Sequence, residues 1–276
     1  MISHSWIVQK VLSRLHNKNQ NWICVICGPT GTGKSYTALR LAELIDPNFN
    51  IDRCTFNAEE FLNLVNSGVL KTGSCIILDE AGVGIPARQW YDICNKSVNY
   101  VLQTFRRENV ALIMTTPSLS FIDVQARMLS HAFVDTQKID RKKKRVLVKF
   151  MACQLNPRSG KVYYKYYRKG RQALKRVWIE KPSQGLIKDY EKKKKKYSKG
   201  LYASAMEDIQ KIELKKQTPQ EIAKIILKNP EPYLKDWQGK KIINLTKVML
   251  KFGVGRNNGK KVKTIVEEAL TESGIL

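Results

Sequence analysis

The run Gly28-Pro29-Thr30-Gly31-Thr32-Gly33-Lys34-Ser35 constrains the fold of this chain more than any other stretch. It stands between an apolar hexamer, Trp22–Cys27, and a helical pattern, Ser35–Ile45, that Asp46-Pro47 stops. A short apolar run ending in Gly-Pro reads as a buried strand, and the 3.6-residue spacing after the loop reads as a helix. Strand, loop and helix with GxxxxGK[ST] spacing form a P-loop. Gly28, Gly31 and Gly33 let the backbone turn tightly and aim its N–H groups at phosphate oxygens. The helix start adds the positive end of its dipole. Lys34 is expected to reach the β- and γ-phosphates and the Ser35 hydroxyl to ligate magnesium, with Pro29, Thr30, Thr32 and Tyr36 completing the binding segment. The expected cofactors are therefore ATP and Mg2+.

A second apolar run, Cys75-Ile76-Ile77-Leu78, ends in Asp79-Glu80. A buried strand would carry Asp79 to the carboxyl edge of the sheet, where it can hold the magnesium shell. Glu80, one residue on, is placed to polarise an attacking water, which adds hydrolysis to binding. Val110–Met114 is a further strand pattern and ends in Thr115-Thr116, a sensor position beside the γ-phosphate, with Thr116 the candidate catalytic residue. Arg106 and Arg107 precede that strand, and either could stabilise charge on a neighbouring subunit's nucleotide. Arg127 is a weaker candidate for that role. Strand patterns at 22–27, 51–56, 74–78, 110–114 and 131–135 alternate with helical ones, which predicts an α/β three-layer sandwich with a parallel sheet, RecA/ASCE-like.

The segment IILDEAGVGIPARQW…LQTFRRENVALIMTTPSLSFIDVQARMLSHAF resembles the FtsK–HerA class of P-loop ATPases, and within it the Zot-like and viral DNA-packaging branch. The correspondence covers about residues 22–136. It implies a ring, hexameric in that class, that moves double-stranded DNA using ATP. Thr116 falls where the family carries Gln, a departure at the sensor. Zot-like phage proteins also tend to carry a membrane span, and no segment here approaches the roughly 18 apolar residues that a span needs. That favours packaging, segregation or transfer within a cell over export.

Charge divides the chain. Residues 1–140 hold 13 Lys/Arg against 12 Asp/Glu, whereas residues 141–276 hold 36 against 12. Such asymmetry predicts a polyanionic partner for the second half, DNA above all. Arg145–Leu155 and Lys161–Tyr167 read as a hairpin. Its second arm mixes tyrosines with Lys165, Arg168 and Lys169, a composition suited to stacking and phosphate contact. Lys188–Lys216, with the run Lys192–Lys196, reads as a flexible linker or a helix on its flanks only. Thr218-Pro219-Gln220-Glu221 is a helix start with a capping box. Helical patterns near 242–252 and 258–271, separated by Gly253-Val254-Gly255, read as a helix-turn-helix or winged-helix domain. Arg256, Lys260, Lys261 and Lys263 then sit at the start of the recognition helix. The expected domains are an ATPase core at 1–140, a basic hairpin and linker at 141–216, and a DNA-binding domain at 217–276.

Six cysteines, several inside apolar runs, form no secreted framework and predict free thiols in a reducing compartment. Cys24 and Cys27 have CxxC spacing, but on a strand they face opposite sides. The start of the chain has no signal-peptide pattern, and a cytoplasmic protein is expected. Two other functions fit the same residues: an AAA+-like loader or transposition helper, and an ATP-gated DNA-binding protein that does not translocate.

Overall fold

A computed structural model of the 276-residue chain describes residues 4–80, 109–216, 218–238 and 240–273. The chain divides into two compact units, Met1–Tyr197 and Ser198–Leu276.

The first unit is built on one sheet. Its strands are β1 (Trp22–Cys27), β2 (Cys54–Thr55), β3 (Cys75–Leu78), β4 (Ala111–Thr116), β5 (Ala132–Asp140), β6 (Arg145–Leu155), β7 (Val162–Tyr166) and, after the short pair β8 (Arg168–Lys169) and β9 (Gln172–Ala173), β10 (Val177–Glu180). The order across the sheet is β10-β6-β5-β1-β4-β3-β2, with β7 pairing β6 off that path. The five strands β5-β1-β4-β3-β2 run parallel, while β6, β7 and β10 join antiparallel. This is the RecA/ASCE-like arrangement expected from the strand and helix alternation.

The parallel strands bury both faces, so every residue of β1, β3 and β4 is buried. One face carries Cys24 and Ile26 against α1 (His4–Leu12) and α2 (Lys34–Ile45). The other carries Ile23, Val25 and Cys27 against α3 (Ala58–Asn66) and α4 (Val124–Leu129). Cys24 and Cys27 thus belong to opposite layers, as strand alternation requires.

The sheet does not stop at residue 140. Along β6 the alternating Val146, Val148 and Phe150 are buried in the same core as α2, and Val177 and Ile179 of β10 join them. The basic hairpin is therefore an extension of the core sheet, with β7 exposing Tyr163, Tyr164 and Tyr166. The lysine-rich stretch is helical: α5 runs from Gln184 to Lys216. It forms because its early turns are amphipathic, with Leu186, Ile187 and Tyr190 buried at helical spacing.

The second unit contains α6 (Pro219–Lys228), a hairpin of β11 (Leu234–Trp237) and β12 (Lys240–Ile243), then α7 (Leu245–Phe252) and α8 (Arg256–Glu272). The Thr218–Glu221 capping box opens α6 as read from the sequence. Gly253, at φ 62°, ends α7 in the left-handed conformation that glycine adopts freely. Gly259 is buried on α8, and a Cβ there would lie 2.9 Å from Met249 Cγ and 3.0 Å from Leu245 Cδ1, so glycine sets the α7–α8 approach. Val248, Val262 and Val266 form the core with Ile222 and Ile226, whereas Leu245 and Met249 are half-buried. Two antiparallel strands precede α7 where a helix from about 242 was expected.

Candidate nucleotide-binding site

Parallel register brings the chemistry to one edge. Ile26 and Cys27 at the end of β1 pair with Thr115 and Thr116 of β4, and Leu78 at the end of β3 pairs with Met114. The loop after β1, the acidic pair after β3 and the threonines of β4 therefore emerge side by side.

The P-loop takes the backbone shape that its glycines allow. Gly31 and Gly33 lie at φ 79° and 88°, and Gly33 is the N-cap of α2. Gly28 lies at φ 152° and packs on β5, where a Cβ would stand 2.0 Å from Thr136 Oγ1. Thr136 shares a hydrogen bond with the Thr32 hydroxyl at 2.7 Å and donates to the Cys27 carbonyl at 3.1 Å. Lys34 Nζ donates to the carbonyls of Gly28 and Pro29 at 2.8 and 2.9 Å. Burial draws the Lys34 pKa below its ordinary value, with Asp79 and Glu80 opposing that shift.

Asp79 is fully buried and collects donors from three elements. Ser35 Oγ donates to its Oδ2 at 3.2 Å, and Thr115 Oγ1 donates to its Oδ1 at 2.7 Å. Glu80 adopts φ 55°, uncommon for a residue with a side chain, and its N–H donates to Thr115 Oγ1 at 2.8 Å. Thr115 thus ties the acidic pair to β4. The Thr116 hydroxyl points elsewhere and donates to the Ser118 carbonyl at 2.9 Å, so of the two threonines it is Thr115 that touches the site.

Two residues complete the site without having been singled out in the sequence. Tyr190 Oη, on α5, donates to Asp79 Oδ2 at 2.6 Å, and its ring is 2% exposed. Burial and Asp79 both push its phenol pKa up, so it remains a donor. Lys194, one turn on, donates to Glu80 Oε1 at 2.7 Å and to Asp79 Oδ2 at 3.4 Å. Burial works against its ammonium, but the two carboxylates outweigh burial and raise its pKa above the ordinary lysine value. Tyr36 Oη donates to Glu191 Oε1 at 2.9 Å. A cavity of about 620 Å³ is lined by P-loop residues with Tyr36, Glu80, Tyr190 and Lys194, within the range of small-molecule sites.

The donor set suits magnesium, a hard cation that takes one or two protein oxygens and leaves the rest of its shell to phosphate and water. A hydroxyl and a carboxylate oxygen stand together at Ser35 and Asp79, and an ammonium already sits on that carboxylate. The position accepts positive charge.

Arg106 and Arg107 lie outside the described residues. Arg127 is on α4, near Tyr164 and Phe133 on the opposite sheet face from α2, away from the P-loop of its own chain. In the second unit, Arg256, Lys260 and Lys261 are exposed on the first turns of α8. Lys263 instead pairs with Glu267 at 3.6 Å. Among the described residues no helix is long and apolar enough to cross a membrane.

No protein-family model matches the chain, and no curated protein matches it in sequence. Solved structures similar to it include the N-terminal domain of zonular occludens toxin from Neisseria meningitidis, at 16% identity and TM-score 0.33, covering 56% of this chain and 97% of that one. The DNA-packaging ATPase B204 of Sulfolobus Turreted Icosahedral Virus is similar at 13% identity and TM-score 0.33, covering 55% and 98%. The genome packaging NTPase B204 of Sulfolobus turreted icosahedral virus 2, in complex with ATP-gammaS, is similar at 11% identity and TM-score 0.32, covering 55% and 100%.

Proposed function

We propose that the chain is a magnesium-dependent ATPase that acts on DNA as a motor of the packaging, segregation or transfer type. The observation that carries the reading is the convergence of Ser35 and Asp79, 3.2 Å apart, with Glu80 alongside, at the mouth of a complete P-loop. Ser35 and Asp79 would hold the magnesium that arrives with the nucleotide, and that ion would supply charge neutralisation to the phosphates. The P-loop N–H groups and the Lys34 ammonium bind the phosphate oxygens. Glu80 orients a water and takes its proton on a carboxylate oxygen. Thr115 holds Glu80 and Asp79 in register.

The DNA half of the reading is supported by the charge division of the sequence and by the exposed Arg256, Lys260 and Lys261 at the start of α8. A ring is supported by the resemblance, hexameric in that class, and Arg106 or Arg107, ahead of β4 in the sequence, would serve a neighbour's nucleotide in it; the free thiols suit work in a reducing compartment such as the cytoplasm. The test is DNA-stimulated ATPase activity measured together with triplex displacement. A motor hydrolyses ATP and displaces the third strand. Hydrolysis without displacement points to the loader or the ATP-gated binder, and turnover that survives Glu80→Gln refutes the assigned base.

A further inference from the structure

The early turns of α5 are fastened to the catalytic edge by a row of polar contacts. Tyr190 and Lys194 hold Asp79 and Glu80. Lys193 Nζ donates to the carbonyls of Cys54 and Ile51 at 2.7 and 3.2 Å. The Tyr197 ring stacks on Phe56, with centroids 5.0 Å apart, and Glu191 accepts from Tyr36. The run Lys192–Lys196 is therefore not a uniform solvated face. Lys192, Lys195 and Lys196 are exposed, while Lys193 and Lys194 turn inward.

The acceptor inventory of Asp79 shows what this does. A carboxylate offers about four lone-pair sites. Oδ1 accepts from Thr115, and Oδ2 accepts from Ser35, Tyr190 and Lys194. Two of these four donors come from α5, and the second carboxylate, Glu80, is held by the same ammonium. A half-buried lysine whose only task were packing would not need both acids of the site.

We propose that Tyr190 and Lys194 form an autoinhibitory pin, an internal cation and phenol that hold Asp79 and Glu80 and must withdraw before magnesium-nucleotide engages them. The proposal rests on the nucleotide-hydrolysing reading of the site. It makes α5 the element that senses nucleotide. Engagement at Asp79 and Glu80 displaces the Tyr190 hydroxyl and the Lys194 ammonium, and it is the hold of these two donors on the acids, not the seating of the helix, that raises the magnesium concentration needed for binding.

The test is titration of the full chain with magnesium in the presence of a fluorescent ATP analogue, for the wild type, Lys194→Met, Tyr190→Phe, Lys193→Met and Lys34→Ala. Tyr190→Phe keeps the buried ring and removes only the hydroxyl, so the fold is preserved. Lys194→Met and Tyr190→Phe are expected to lower the magnesium midpoint, Lys194→Met by about tenfold, as loss of a charge-assisted bond implies. Lys193→Met, which touches only carbonyls, leaves the midpoint where it was. In the wild type, hydrogen exchange of the 184–197 amides is expected to rise when magnesium and nucleotide are added. Unchanged or weakened binding in both pin variants, or slower exchange at 184–197, overturns the pin and makes these residues part of the productive site. If Lys34→Ala binds as well as the wild type, or no variant binds, the nucleotide reading itself fails and the pin with it. Binding seen only after Lys194→Met supports the pin in its strongest form.

Discussion

Thr115→Val removes one hydroxyl and leaves the side-chain shape almost unchanged. Thr115 is fully buried, donates to Asp79 Oδ1 at 2.7 Å and accepts from the Glu80 N–H at 2.8 Å. Loss of a hydrogen bond to a charged group costs about 1.5–3 kcal/mol, and a buried N–H left unpaired costs about 1–3 kcal/mol more. Part of this is recovered if Glu80 relaxes out of its left-handed conformation, which costs a residue with a Cβ roughly 1–2 kcal/mol. The expected net loss of stability is about 2–3 kcal/mol. The relaxation that softens the loss also moves the Glu80 carboxylate, so turnover at saturating ATP should fall by about 100-fold, the scale set for general base catalysis. Thr115→Ser keeps the hydroxyl and should stay close to the wild type in both measurements. Urea unfolding followed by intrinsic fluorescence gives the first number, and phosphate release gives the second. If Thr115→Val lies within about 0.5 kcal/mol of the wild type and turns over within twofold of it, the reasoning is refuted.

Three further outcomes can be checked in the same way. Gly28→Ala places a Cβ 2.0 Å from Thr136 Oγ1 and should weaken nucleotide binding at least tenfold; adding Thr136→Ala should restore part of it, and no recovery would remove the clash as the cause. Asp46, 5% exposed, pairs with Arg53 at 2.5 Å and accepts from the Cys75 N–H at 2.9 Å. Asp46→Ala should cost about 3–5 kcal/mol in denaturant unfolding, with Arg53→Met added on top returning at least 1 kcal/mol because the stranded charge is gone. His131 Nδ1 accepts from the Ile23 N–H at 3.0 Å, and burial, with Arg14 nearby, pulls its pKa down to about 4. The unfolded chain takes up that proton first, near pH 6.5, so stability is full above about pH 6.5 and declines by about 3 kcal/mol as pH falls towards 4. His131→Gln should flatten the decline in this window, and an unaltered slope of stability against pH would show that other groups carry it.

The nucleotide loop and the Asp79-Glu80 pair were legible because their chemistry is contiguous in the chain. Each follows an apolar run that can only be a buried strand. The rest of the site comes from far away in sequence. Thr136 meets Gly28 because β5 lies beside β1, and nothing in the β5 sequence advertises a hydroxyl under the loop. Tyr190 and Lys194 were obscured by composition, since five consecutive lysines read as a solvated block. The signal was the spacing of Leu186, Ile187, Tyr190 and Tyr197, an apolar stripe running through the basic run. The hairpin 234–243 leaves little signal in the sequence, because its strands are four residues long and mostly exposed, with little alternation. Asp46 looked like a helix stop; its second task, receiving the first N–H of β3, depends on an arginine seven residues on and a strand 29 residues on.

The cysteines give the sheet a set of internal clocks. Cys24 and Cys27 lie on β1, Cys54 on β2, Cys75 on β3 and Cys153 on β6. Burial raises every one of these thiols, with Cys27 and Cys153 pushed up to about 12. Cys24, Cys27, Cys54 and Cys75 are buried, and a buried thiol that is not readily ionised reacts only while its strand is open, whereas the half-buried Cys153 is reached without opening. Modification rates at those four positions therefore time the opening of individual strands, and Cys54, whose carbonyl holds Lys193, times the edge on which α5 rests.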